Sequence, residues 1–249
     1  MHIRAINPNT TASMTRTIAE AATRVAAPGT RITATQPDSG PVSIEGHFDE
    51  VISAVGVAEE VMASEQSDDP ADAYIIACFG DPGLLAAREL TRAPVIGIAE
   101  AAFHMATLVS TRFSVVTTLA RTGIIAEHLL ETYGFSHHCR RVRAAEIPVL
   151  DLEEDADRAL SRLIEECRKA RDEDNIGAIV LGCGGMADLT DEISHAIGLP
   201  VIEGVTAAVK LSEAVAGLKL GTSKYGDLAF PRPKPFTGKF EHLSHLRNQ

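Results

Sequence analysis

The sequence has no tryptophan, and only 4% of its 249 residues are aromatic. Stacking platforms for single-stranded nucleic acid are therefore missing. The formal charge of −11 argues further against a phosphate-backbone partner, so no nucleic acid is expected. That charge serves solubility. No uncharged apolar run approaches the length of a membrane span, so no membrane association is expected either. The N-terminal residues 1–7 lack a basic region followed by a long apolar stretch, and no signal peptide is expected. There are four cysteines and none lies in a CxxC pair. That argues against a zinc knuckle, a thioredoxin-type motif or a disulfide scaffold, and suits a cytoplasmic location.

What is present is ample core material, 45% hydrophobic residues, arranged as short apolar runs alternating with helical periodicities. Strands are predicted at 2–6, 32–36, 74–78, 94–98, 113–118, 142–147, 178–183 and 200–202. Helices are predicted between them, at 13–25, 49–64, from Asp81-Pro82 to about Leu90, after Ile98 to Val109, at 121–133, 155–172, 190–197 and 205–216. Asp accepts from free amides and Pro fits a first helical position, so Asp81-Pro82 is a helix-start signal. In the 49–64 helix, Val51, Ile52, Val55, Val57, Ala58 and Val61 give a broad apolar face. Residues 222–249 are rich in Pro, Lys and Gly and predict loops with one short helix.

The alternation predicts an α/β fold with parallel sheets flanked by helices. An internal repeat is more specific. Residues 93–106 align without gaps on residues 199–212, matching Pro94-Val-Ile96 with Pro200-Val-Ile202 and Ala101-Ala102 with Ala207-Ala208. Cys78 and Cys183 precede these segments by nearly equal lengths, each ending an apolar run. Two pseudo-symmetric lobes follow, one of residues 1–98 plus 206–249 carrying Cys78, the other of residues 99–205 carrying Cys183. Ligands of open α/β sheets bind beyond the carboxyl ends of the strands. The symmetry therefore places one thiol on each side of a shared cleft.

A cysteine ending a strand is commonly a small buried hydrophobe; the matched placement of two favours chemistry. A thiol at a helix start is expected to ionise more easily. One thiolate could remove a proton from a planar carbon acid while the opposite thiol returns one to the other face. Backbone amides in Phe79-Gly80 and Gly184-Gly185 could steady the intermediate oxyanion. Cys167 falls on an apolar helix face and reads as core. His137-His138-Cys139-Arg140 could bind a metal, but no carboxylate is adjacent and a solvated turn is the simpler reading. His104 reads as a core or interface histidine. Asn9 and its neighbours, with Thr117-Thr118 as counterpart, should face the cleft or cap helices. Gly182-Cys-Gly-Gly185 lacks the order of a dinucleotide or phosphate loop.

Six motifs carry a resemblance over nearly the whole chain: Ile6–Thr10, Ser43–Gly46, Ala77–Gly83, Phe113–Thr118, Arg143–Pro148 and Leu181–Met186. Together they resemble the hydantoin racemase branch of the aspartate/glutamate/hydantoin racemase superfamily. The resemblance implies two α/β lobes, no cofactor and no metal, and catalysis by Cys78 and Cys183. It implies a pocket lined by Asn9, Ser43, Phe79, Thr117, Thr118 and Gly184, and a homo-oligomer. Gly184 stands where alanine is more usual in this motif, which is expected to enlarge the pocket slightly. The implied substrate is a 5-monosubstituted hydantoin. Allantoin is the nearest alternative. Other cysteine-dependent members of the superfamily (amino-acid racemase, decarboxylase, cis–trans isomerase) and a non-catalytic binder are the further ones. Neither cysteine loop offers an Arg or Lys clamp for a free amino acid, which favours a neutral ring.

Overall fold

The computed structural model describes residues 1–187 and 189–245. In the first half, the chain runs β1 (His2–Ile6), α1 (Ala12–Val25), β2 (Arg31–Thr35), α2 (His47–Glu65), β3 (Ala73–Ile76), α3 (Leu84–Leu90), β4 (Val95–Gly97) and α4 (Ile98–Val109). It continues through β5 (Phe113–Thr117), α5 (Ala120–Thr132), β6 (Cys139–Ala144), α6 (Asp151–Glu154), α7 (Ala156–Glu173), β7 (Ala178–Leu181), α8 (Thr190–Ile197), β8 (Val201–Ile202) and α9 (Gly204–Gly217). The strands form two parallel four-stranded sheets, in the orders β2-β1-β3-β4 and β6-β5-β7-β8. Helices flank both. The second order is the first with each strand replaced by its counterpart, so the repeat seen at residues 93–106 and 199–212 extends to the topology.

Burial explains the strand sequences. Central β3 (AYII) and β7 (AIVL) are buried at every position, as an apolar run between two helical layers should be. Edge strand β6 is basic and half exposed, so no continuous apolar run marks it, and it spans Cys139–Ala144 in place of the expected 142–147. Arg143 on this strand pairs with Asp174 (2.7 Å), Glu173 (2.7 Å) and Glu166 (3.1 Å), and the Ser114 hydroxyl also donates to Asp174. The Arg143 motif is thus a buried ionic tie behind the second sheet.

The chain crosses between sheets at two helices. α4 follows the first sheet and packs on β7 and β8; α9 follows the second and packs on β3 and β4. α4 and α9 also pack against each other. Two expectations need correction. On α2, Val57 and Val61 of the expected face are buried, joined by Ser53, Gly56 and Ser64, while Val51 is 66% exposed and Ile52 40%. Asp81-Pro82 does not begin α3, whose first residue is Leu84 behind the left-handed Gly83. In the tail, short 3-10 turns occur at Gly226–Leu228 and Gly238–His245; residues 246–249 lie outside the described residues. Among the described residues no helix is long and apolar enough to cross a membrane.

Candidate active site

The two central strands end alike. The Ala77 amide donates to the Ile6 carbonyl at 2.8 Å, and the Gly182 amide donates to the Val116 carbonyl at 2.8 Å. Each is the last ladder bond before a cysteine, so Cys78 and Cys183 sit just past the carboxyl ends of β3 and β7. Both line one cavity that holds about 560 Å³ of empty space, its open mouth included. Asn9, Phe79, Thr117, Thr118 and Gly184 line it too.

Hydrogen bonds fix these residues. Asn9 accepts at Oδ1 from the Thr11 amide (2.9 Å) and from the Asn7 side chain (2.9 Å), which shapes the turn into α1. Its Nδ2 rests on the Met14 sulfur at 3.1 Å. The Thr117 hydroxyl donates to the Gly182 carbonyl at 3.1 Å, tying β5 to the Cys183 loop. Phe79 packs edge-on against Phe103, with centroids 5.6 Å apart.

Ser43 is not among the lining residues; Ile44 is. The reason is the neighbouring Glu45, whose carboxylate accepts from the Val149 amide of the other lobe at 2.9 Å. That bond draws the loop across the cleft and brings Ile44 over the cavity. Gly184 also differs from expectation. A Cβ there would lie 2.7 Å from the Ala77 carbonyl oxygen. Its missing side chain therefore admits the backbone of the opposite lobe; it does not widen the cavity.

The thiols share an electrostatic setting. Each faces the amide two residues ahead, Gly80 for Cys78 and Gly185 for Cys183, and these amides favour the thiolate. Burial outweighs them. It pushes Cys183 up to about 11 and Cys78 well above the ordinary thiol range, with the nearby Cys183, Asp81 and Glu50 adding to the rise. The expectation of thiols made acidic by helix starts is thereby corrected. α3 begins too far from Cys78, and only a 3-10 turn, Gly184–Met186, follows Cys183.

Sequence reasoning missed Glu50. Its carboxylate lines the cavity, accepts from His47 at 3.2 Å, and is raised by burial. The helical spacing of α2 held the signal, since Glu50 and Ser53 fall three apart on the inward side. Met14, Ile125 and Val149 add apolar wall. Cys167 is buried in the second lobe's core, whereas His104 is exposed and not core, its ring edge-on to Phe135 at 4.9 Å. Cys139 begins β6, so it lies on a strand and not in the turn expected for it. Among the described residues no group of three or more His, Cys, Asp or Glu is placed to hold a metal ion.

The Asp/Glu/hydantoin racemase family model matches residues 3–212. The chain is 50% identical to a hydantoin racemase of Rhizobium meliloti over 238 residues, 96% of this chain and 98% of that one. It superimposes on an allantoin racemase from Klebsiella pneumoniae with a TM-score of 0.95 and 56% identity, covering 98% of this chain and 99% of that one. An arylmalonate decarboxylase shares the fold at a TM-score of 0.62 and 17% identity, over 87% of this chain and 93% of that one.

Proposed function

The chain belongs to the Asp/Glu/hydantoin racemase family and is an isomerase, and on that premise we propose that it racemises 5-monosubstituted hydantoins without a cofactor, by proton transfer between Cys78 and Cys183. The observation that carries this reading is the matched pair of thiols lining one cavity. A thiolate on one side takes the C5 proton. The electron pair left behind delocalises onto the ring carbonyl as an enolate, and the opposite thiol delivers its proton to the other face. The roles reverse for the other enantiomer. Asn9, Thr117 and Thr118 supply polar groups for the ring amides, and Phe79 and Ile44 supply apolar wall.

Allantoin is a second reading, favoured by the 56% identity to an allantoin racemase. Its ureido substituent carries N–H donors that the Glu50 carboxylate could accept. We assign residues 1–98 and 206–249 to one lobe and 99–205 to the other, supported by the crossing of α4 and α9. Four free thiols suit the cytoplasm. Phe48, Val51 and Ile52 on the outer side of α2 suit contact between copies in a homo-oligomer.

The test is polarimetry and C5 deuterium exchange in heavy water on each enantiomer of allantoin and of a 5-alkylhydantoin. Cys78→Ser and Cys183→Ser should each lower racemisation by at least about a hundredfold. Each variant should still exchange one enantiomer, the opposite one in the two cases. Racemisation surviving in either variant would contradict the two-base mechanism. A wild type that exchanges nothing would favour a binding protein.

A further inference from the structure

The loop that carries Cys78 contains a buried carboxylate to which the proton transfer assigns no task. Asp81 is 5% exposed and holds φ at 44°, a left-handed conformation that Asp tolerates better than most residues. Its amide donates to the Cys78 carbonyl at 2.9 Å, closing the turn that begins at the thiol. Its side chain leaves that turn altogether. Oδ1 accepts from the Ala99 amide at 3.1 Å, and Oδ2 from the Glu100 amide at 3.0 Å and the Tyr133 hydroxyl at 2.9 Å.

The repeat shows what this arrangement replaces. Gly97 and Glu203 align, and each is the N-cap residue of a crossing helix. Glu203 caps its own helix, accepting from Val205 at 2.7 Å and Thr206 at 2.6 Å. Those residues align with Ala99 and Glu100. In α4 the N-cap is glycine, and the same two amides are served by Asp81 from the Cys78 loop. A Cβ on Gly97 would overlap the Asp81 carboxylate. The bare N-cap and the reaching carboxylate therefore belong together. Three residues after Cys183 the chain has Met186, which offers no such tie.

We propose that Asp81 is a positioning residue for Cys78. It fastens the turn bearing this thiol to the start of α4 and to Tyr133 beyond α5, and so sets the thiol's height over C5 of the substrate. Cys183 is held without this strut. The assignment rests on the two-base reading above. Around the carboxylate stand Tyr133 and the Arg88–Glu100 pair (2.6 Å). Burial pushes Asp81 up to about 7 against the pull of its three donors.

Two variants separate positioning from capping. Asp81→Asn keeps the shape, but its amide nitrogen cannot accept a hydrogen bond. Asp81→Gly combined with Gly97→Glu removes the strut and rebuilds the cap as α9 does. Racemisation kinetics are measured on both. Site-resolved iodoacetamide labelling of Cys78 and Cys183 is followed by mass spectrometry across pH. Asp81→Asn should lower kcat about tenfold to a hundredfold with KM within about twofold, the scale of a displaced reacting group. The double variant should regain the melting temperature lost in Asp81→Gly without regaining kcat. Loss of the Asp81 charge alone shifts only the midpoint of the Cys78 labelling curve. The strut is therefore read from the Cys78 labelling rate at matched thiolate fraction, which should change in both variants while that of Cys183 stays. Recovery of kcat together with stability would reduce Asp81 to a helix cap, and an unchanged Cys78 rate at matched thiolate fraction would overturn the proposal. Labelling needs no turnover, so it tests the strut even if the wild type fails to racemise hydantoins.

Discussion

Burial and hydrogen bonding pull each of the two cavity thiols in opposite directions, and burial wins. Cys183 is pushed up to about 11 and Cys78 is raised as well, so near pH 7 both are thiols. Two-base transfer needs one thiolate and one thiol. The competent fraction therefore grows with pH until the first thiol has ionised. On this reading kcat/KM for either enantiomer should rise with pH, by up to about tenfold per unit above pH 7. Polarimetric pH profiles check this; a flat profile from pH 7 to 9 would contradict thiol bases with raised values. Stability moves the other way. The folded state holds these protons to higher pH than the unfolded chain does. Their contribution is thus complete below the unfolded thiol value and is lost as pH rises through about 11 for Cys183. Alkaline conditions should raise activity while lowering the melting temperature.

At the scale of elements, two equivalent helices obtain the same cap by different routes, and the difference is measurable. Among the described residues the hydrogen bonds of the Glu203 carboxylate go to the first turn of α9. Glu203→Ala should cost about 1 kcal/mol, as loss of a cap does, lowering Tm by about 2–4 °C in a chain of this size. Its kcat should stay within about twofold, unlike that of the Asp81 variants. A large loss of kcat would mean that the α9 cap also reaches the site. The same pair shows what the sequence could reveal. Strand order, the longer helices, the repeat and the placement of two cysteines at matching strand ends are legible, because periodicity and spacing are local properties; the short α6 is not. Asp81 was read as capping the helix that follows it, since nothing in a sequence marks which spatially distant amides a carboxylate will meet. Ser43 was placed in the pocket by motif, whereas the cross-cleft bond from Val149 to Glu45 puts Ile44 there. Val51 and Ile52 fall on the broad apolar face of α2 by spacing, yet are exposed, because hydropathy cannot say which side of α2 meets the sheet.

At the scale of the whole molecule, the two lobes meet where their equivalent helices begin. Ile98 and Gly204 align in the repeat and are the first residues of α4 and α9. They also touch: a Cβ on Gly204 would overlap the Ile98 carbonyl oxygen and sit 2.6 Å from its Cβ. Equivalent residues that touch each other mark a pseudo-twofold axis. Gly184 against the Ala77 carbonyl is a second close approach across the same boundary. Cleft width is thus set by backbone contact, which cannot be repacked by changing rotamers. Gly204→Ala should cost about 3 kcal/mol, the upper end of overpacking, and lower Tm by about 6–12 °C. Because the obstacle is a main-chain carbonyl, adding Ile98→Ala should not restore stability. Thermal melts of both single variants and the double complete the cycle. Rescue by Ile98→Ala would show that a side chain, not the backbone, separates the helices at the axis.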